Sequence, residues 1–345
     1  MTALHSGDRP RPAPPAARQE VVARAPVRLD LGGGWSDVPP YADEVGGVVC
    51  NVAIRRYATV RLHQGRDDEW HAPGRREAGS RLAAAALRRA GLADVQADVW
   101  SDFPVSAGLG GSSAAGVALA AATAAWRAPI SLDDARRTAL AEWSRALEVE
   151  DAGIAGGRQD HYAAAFGGAL CIAFGAAADG EPARATRVAL ADETRAALER
   201  RAVVVYTGES RVSGDTITAV LDAYARGERG VVQALARMRA LATEMAAALA
   251  AGRLDEVGAL LAEHWTHQRS LHRSIPTARI DEVIARAAAA GALGAKALGA
   301  SGGGCVLALA AEGREGAVRA AVAPFGEIVD VAVDDAGVTV ESDPS

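Results

Sequence analysis

Two hydroxyls, Ser112 and Ser113, follow Gly108, Leu109, Gly110 and Gly111 and stand at the head of an alanine-rich run that opens with Ala114. Glycines let a backbone close on a ligand. The first turn of a helix presents N–H groups that have no partner within the helix. The order of residues from Phe103 and Pro104 to Ala115 therefore suits a cradle for phosphate, and the hydroxyls add hydrogen bonds or a contact to a metal ion. Taken alone, the segment is also compatible with a glycine turn and a serine N-cap.

A second cluster of chemical groups runs from Glu148 and Glu150 through Gly156 and Gly157 to Arg158, Gln159, Asp160 and His161. Its bland reading is a solvated helix end followed by a capping Asp. Asp160, however, lies just before the apolar stretch 162–170. A carboxylate so near a core needs a partner or a purpose. The third cluster is Lys296, Gly299, Ser301, Gly302, Gly303 and Gly304, set between apolar residues, and Lys296 is the only lysine of the chain. A glycine run there lets two backbones cross closely or approach a ligand. No GxxxxGK[ST] occurs, which excludes a P-loop.

The elements that must position these groups follow from periodicity. Strands are expected at 20–31, 46–54, 57–63, 95–101, 167–174, 203–208, 295–298, 305–310 and 328–333. Helices are expected at 80–90, 113–126, 132–149, 280–291 and 313–321, with mostly helical chain over 215–263. A turn at 32–41 follows the first strand, 175–182 reads as a loop, and the last few residues as frayed. The alternation of helix and strand in both halves gives a mixed α and β class, with a weakly marked boundary near 185–200.

Composition narrows the function. The chain has 345 residues, half of them apolar, with 37 basic and 43 acidic side chains for a net charge of −6. Length suggests two domains. The charge does not suggest a nucleic-acid surface, and aromatics at 4% do not make a base-stacking platform. Cys50, Cys171 and Cys305 are odd in number and far apart, so neither a disulfide framework nor a zinc spacing is expected. Residues 1–19 hold several prolines and arginines and no apolar h-region, which reads as a flexible tail rather than a signal peptide. No apolar run reaches membrane-spanning length. A reducing, cytoplasmic setting is the expectation.

The three clusters together resemble the motifs of the GHMP kinases, the family of galactokinase, homoserine kinase and mevalonate kinase. Ala25-Pro26-Val27-Arg28 through Asp37 is similar to motif one, Pro104–Ala115 to motif two and Lys296–Val306 to motif three, in order and over nearly the whole chain. Gly33-Gly34-Trp35-Ser36-Asp37-Val38-Pro39-Pro40-Tyr41, 156–168 and 206–211 resemble the bacterial fucokinase and heptose-7-phosphate kinase branch. Trp35 and Asn51-Val52-Ala53-Ile54 lean to the fucokinase side.

That resemblance implies an α+β fold: an N-terminal ribosomal protein S5 domain 2-like ATP-binding domain over 20–190 and a ferredoxin-like C-terminal domain over 191–340. It implies ATP and Mg²⁺, with Pro104, Gly108, Leu109, Gly110, Gly111, Ser112, Ser113 and Ala114 around the nucleotide. Glu148, 12 residues before Asp160, would hold the metal with Ser112 or Ser113, and Glu150 is the fallback. Asp160 would be the catalytic carboxylate and Arg28 its cation. Trp35, Asp37, Tyr41, Arg158, Gln159 and His161 would meet the substrate, Trp35 and Tyr41 being equally open to a core role. His161 stands where the branch commonly has Gln. Gly302, Gly303 and Gly304, with Lys296, would buttress the nucleotide loop.

The implied reaction is transfer of the ATP γ-phosphate to a sugar hydroxyl, with the anomeric one first. Alternatives are a heptose-7-phosphate kinase or a kinase for a cyclitol phosphate, whose pocket would need further cations such as Arg158 and Arg211. A non-catalytic regulator that binds sugar and nucleotide is the alternative of another class. No nucleic acid or membrane partner is expected, and oligomeric state, a homodimer included, is left open.

Overall fold

The computed structural model describes residues 20–64, 72–77, 80–153, 156–179, 181–209 and 214–342. The proposed tail 1–19 and Arg211 lie outside them. The first half carries β1 (Glu20–Gly32), α1 (Tyr41–Glu44), β2 (Gly47–His63), β3 (Arg75–Arg76), α2 (Arg81–Ala90), β4 (Gln96–Ser101), α3 (Gly111–Arg127), α4 (Asp134–Ala146), a π-helical turn (Leu147–Asp151), α5 (Gln159–Phe166), β5 (Ala169–Phe174) and β6 (Ala183–Val188). The second carries α6 (Asp192–Arg201), β7 (Ala202–Tyr206), α7 (Gly214–Ala225), α8 (Arg229–Ala250), α9 (Leu254–Ser270), α10 (Ala278–Ala290), β8 (Ala292–Ala297), β9 (Cys305–Ala310), α11 (Glu315–Val322), β10 (Glu327–Val329) and β11 (Thr339–Ser342).

Two antiparallel sheets result. One has seven strands in the order β11-β1-β2-β4-β3, with β5 pairing to the other part of β2 and β6 to β5. The other has four strands, β10-β7-β9-β8. The α+β expectation holds. The last strand was not foreseen: Thr339–Ser342 returns to pair with β1, so the chain's final described segment belongs to the first sheet.

Two expected strands at 46–54 and 57–63 are one. Arg55 and Arg56 read as a break; in the structure they are a bulge, since Pro26 faces Tyr57 while Val27 faces Ile54. Pro26 has no N–H to give the ladder, and the Arg55 amide bonds instead to the Ala332 carbonyl at 2.8 Å. Bulges bend and twist a strand, and this one lets β2 pair with β4 on one side and β5 on the other. The strand expected at 328–333 is shorter, Glu327–Val329, because the chain past it leaves the second sheet and Val333 bridges to Ile54.

Helix α3 runs through the centre. Every residue from Ser113 to Ala122 is buried, which only small side chains permit where sheet and helices close in from all sides. At Gly116 α4 packs close, since a Cβ there would lie 2.3 Å from Ser144 Oγ. Cys50 and Cys171 are register partners across β2 and β5. Both, like Cys305, are free, and burial pushes each thiol upward.

Candidate active site

Alternation along β1 sends Val27, Leu29 and Leu31 into the main apolar core, so Arg28 and Asp30 share the opposite face. Arg28 Nε donates to Asp160 Oδ1 at 2.8 Å and Nη2 lies 2.6 Å from the same oxygen. Arg28 Nη1 donates to the Gly108 carbonyl at 2.7 Å, and the Arg28 amide to the Leu109 carbonyl at 3.0 Å. One arginine therefore binds the glycine loop to the carboxylate. Asp160 sits in the first turn of α5 with its side chain a quarter exposed. Burial raises its pKa, opposed by the positive charge of Arg28 and, less, by His161.

Gly110 has to be glycine. It caps α3 with φ at +79°, and a Cβ would press to 3.0 Å from the Asp160 carboxyl. No side chain caps α3, and the first helical bond runs from Ala114 N–H to the Gly110 carbonyl. The N–H groups of Gly111, Ser112 and Ser113 are thus without partners inside the helix, with the positive end of the helix dipole behind them.

Beneath this cradle the π-helical turn at the end of α4 carries Glu148. Such single turns are frequent at functional sites. Glu148 Oε2 accepts from Ser113 Oγ at 3.1 Å and lies 2.9 Å from His161 Nε2, and Ser112 also bonds to the carboxylate. Burial works to raise the Glu148 carboxyl. The hydrogen bond and charge of His161, with the two serine hydroxyls, hold it below its usual range.

Asp37 is buried beside them. Its Oδ2 accepts from the Gln159 amide at 3.1 Å, and a Cβ on Gly157 would collide with it at 1.8 Å. Burial pushes Asp37 up to about 6; the Gln159 amide works against the rise, and the charges of Asp160 and Asp30 add to it. Between the ordinary value of 3.8 and about 6 the folded state keeps a proton that the unfolded state has released, so stability falls as pH rises through that window. Relative to Asp37→Asn, the wild type should lose on the order of 1–3 kcal/mol between about pH 4 and pH 6. Parallel urea-denaturation profiles of the two proteins against pH would refute this.

The GHMP kinases N terminal domain profile matches residues 79–168, and the GHMP kinases C terminal profile matches residues 245–327, together half of the chain. The chain belongs to the GHMP kinase family. It is 28% identical over 317 residues to a bifunctional fucokinase/GDP-fucose pyrophosphorylase of Arabidopsis thaliana, covering 83% of this chain and 29% of that protein. It therefore spans under a third of the length of that relative. A D-glycero-alpha-D-manno-heptose 7-phosphate kinase of Campylobacter jejuni is 25% identical over 306 residues, covering 81% of this chain and 86% of the relative. A D-glycero-D-manno-heptose 1-phosphate kinase from Bacteroides thetaiotaomicron shares the fold, with a TM-score of 0.72 at 23% identity over 94% of this chain and all of that one.

For a GHMP kinase the brought-together set is Arg28, the Gly108–Gly110 backbone, Ser112, Ser113, Glu148, Asp160, Asp37 and the Gln159 amide. Three expected substrate contacts are placed elsewhere. His161 is fully buried, its Nε2 on Glu148 and its Nδ1 2.9 Å from Ser144 Oγ, so it supports the carboxylate instead of facing an acceptor. Tyr41 packs edge-on to Tyr224, ring centroids 5.3 Å apart, in the apolar cluster under α8. Trp35 belongs to the same cluster. The aromatic side chains that the resemblance made candidates for a sugar face suit a core equally well.

Lys296 also departs from expectation. Its Nζ donates to Asp30 Oδ2 at 2.9 Å and to the Asp30 carbonyl at 3.0 Å, with both side chains buried. It secures the end of motif one, not the nucleotide loop. Beside it His264 Nε2 accepts from the Gly33 amide at 3.0 Å, and burial holds that imidazole well below its usual pKa, hence neutral. His264 carried no signal in the sequence, since a lone residue on a helix has no motif, and Asp30, though within the motif-one segment, was given no role there. Motif three does meet the cradle: Cys305 N–H donates to the Ala107 carbonyl at 2.8 Å, and a Cβ on Gly299 would lie 3.0 Å from Gly108 Cα. Gly303 and Gly304 pack against the backbones of Glu209 and Ala107.

Proposed function

We propose that this protein transfers the γ-phosphate of ATP to a sugar hydroxyl, the anomeric one being the first candidate. The observation that carries the reading is the Arg28–Asp160 pair held 2.6 Å apart against the carbonyl of a glycine loop that opens onto a helix start. Phosphoryl transfer asks for positioning and charge stabilisation more than for covalent chemistry. The two relatives named for fucose and heptose phosphorylation support a sugar acceptor, and the three free thiols, Cys50 and Cys305 buried, suit a reducing compartment such as the cytoplasm.

In this reading the N–H groups of 111–113, which have no partner inside the helix, receive ATP phosphate oxygens. Asp37 accepts a hydroxyl of the acceptor and fixes its orientation. Asp160 Oδ1 is held by Arg28, which leaves Oδ2 to take the proton of the attacking hydroxyl. The hydroxyl oxygen bonds to the γ-phosphorus as the bond from that phosphorus to the bridging oxygen breaks, and ADP leaves. Arg28 offsets charge on the moving group. Glu148 with the hydroxyls of Ser112 and Ser113 is an all-oxygen donor set of the kind Mg²⁺ takes alongside substrate phosphates. When bound there the ion would supply neutralisation of phosphate charge.

A screen over free monosaccharides, heptose phosphates and cyclitols with Mg·ATP tests the reading; turnover of ATP with none of them would sink it. Replacing Ser112 and Ser113 together by alanine should weaken Mg²⁺ and ATP use by roughly tenfold each. The same loss should show in Mn²⁺–nucleotide binding followed by electron paramagnetic resonance. Unchanged metal affinity would remove the serines and Glu148 from the metal.

A further inference from the structure

The π-helical turn Leu147–Asp151 presents its carboxylates to two sides. Glu148 is buried against Ser113 and His161. Glu150 and Asp151 are exposed, and Arg89 of α2 grips both. Its Nη1 donates to Asp151 Oδ2 at 2.6 Å and to Glu150 Oε2 at 3.1 Å, and its Nη2 to Glu150 Oε2 at 3.2 Å. The same guanidinium lies 5.9 Å from the centre of the Trp143 ring on α4. Glu150, the fallback metal ligand, is therefore committed to α2.

Residues three apart share a face of an α-helix, and the wider winding of a π turn parts them. That winding, closed by the Ala152 N–H on the Leu147 carbonyl at 3.1 Å, lets Glu148 face the cradle while Asp151 faces α2. Rewound to α, the turn would carry Glu148 off the serine hydroxyls. The body of α4 is held separately: Glu142 meets Arg158 Nε, just before α5, at 3.4 Å and accepts from Tyr162 OH, within α5, at 2.9 Å. Helix α2 is seated too, with Ala83, Ala85 and Ala86 in the main core. Arg89 thus ties the turn to a fixed helix. Exposed ion pairs contribute little singly, but a fork on two carboxylates with an aromatic face beside it makes a network.

We propose that Arg89 is a positioning residue for the metal carboxylate: its grip on Glu150 and Asp151 holds the π turn open and so sets Glu148 against Ser112 and Ser113. This rests on the kinase reading, in which that set receives Mg²⁺. The sign of the effect separates positioning from simple electrostatics. A guanidinium near a cation site repels the cation, so removing it without moving Glu148 tightens metal binding. Releasing Glu150 to serve as a ligand would tighten it as well. Removing a positioning residue weakens it.

The probe is ADP, titrated calorimetrically into the full chain with Mn²⁺ and without it. Wild type should bind Mn·ADP more tightly than ADP alone. Arg89→Gln should bind Mn·ADP roughly fivefold more weakly than wild type, as the loss of a surface network allows, with affinity for ADP alone unchanged. Arg89→Lys, which keeps the charge and loses the fork, should fall between, and it stands in for Arg89→Gln should that variant not fold. The gap between wild type and Arg89→Gln should shrink in about 1 M salt. In hydrogen exchange the Ala152 amide of Arg89→Gln should open faster than that of wild type. Tighter or unchanged Mn·ADP binding by Arg89→Gln overturns the proposal, as does weaker binding without faster exchange, and both leave the kinase reading standing. Wild type that binds ADP equally with and without Mn²⁺ overturns the metal assignment of Glu148 and the proposal with it.

Discussion

Asp160→Asn should lower kcat by roughly 10³–10⁴ while ATP affinity stays within a few-fold of wild type. The asparagine can still accept from Arg28 through its carbonyl oxygen, and Arg28 keeps its bond to the Gly108 carbonyl. What goes is the oxygen that takes the proton. The native fold should survive, because burial already works against the charge on Asp160, so a neutral side chain relieves part of what the exchange removes. Initial-rate kinetics on any sugar found in the acceptor screen measure this. A variant that retains more than a tenth of wild-type kcat would place the chemistry elsewhere.

Lys296→Met should destabilise the protein by about 3–5 kcal/mol, a large part of a typical domain's stability. Lys296 is fully enclosed, and the Asp30 carboxylate it meets is 1% exposed. Burial works to raise that carboxyl, and Lys296 is the first of the charges that hold it below its usual value. Removing the lysine leaves a buried anion with His264 neutral and Arg28 committed to Asp160. Replacing both members, Lys296→Met with Asp30→Leu, should recover most of the loss, as paired apolar replacements of buried ion pairs often do. Urea denaturation of wild type, single and double variants checks both halves; a single-variant loss under about 1 kcal/mol would show that the pair does not hold β8 to β1.

The chemistry was more legible than its scaffolding. Gly108, Gly110, Ser112 and Ser113 declare a helix-start cradle because each residue type has a local reason to be there. Arg28 and Asp160, 132 positions apart, have none that sequence can show; the family resemblance joined them, and the fold supplies the 2.6 Å contact. The π-helical turn under Glu148 was invisible, since the run 132–149 reads as continuous helix and the extra residue per turn leaves no mark on composition. Strand β6 and helix α6 were missed for a different reason. The strand alternates Arg184, Thr186 and Arg187 with alanine and valine, and the helix is mostly charged, so apolar periodicity is faint in both. Trp35 and Tyr41 show the limit from the other side: side chains suited to sugar stacking are equally suited to a core, and here the core holds them.

The return of β11 to β1 has its own corollary. Val21 and Ser342 are cross-strand neighbours, as are Arg24 and Thr339. Everything from α6 to β10, second sheet included, is thereby threaded between two strands of the first, as an insertion is. A short tether between those neighbouring positions would make a closed ring of chain, and circular permutants opened at a surface turn should keep the same architecture.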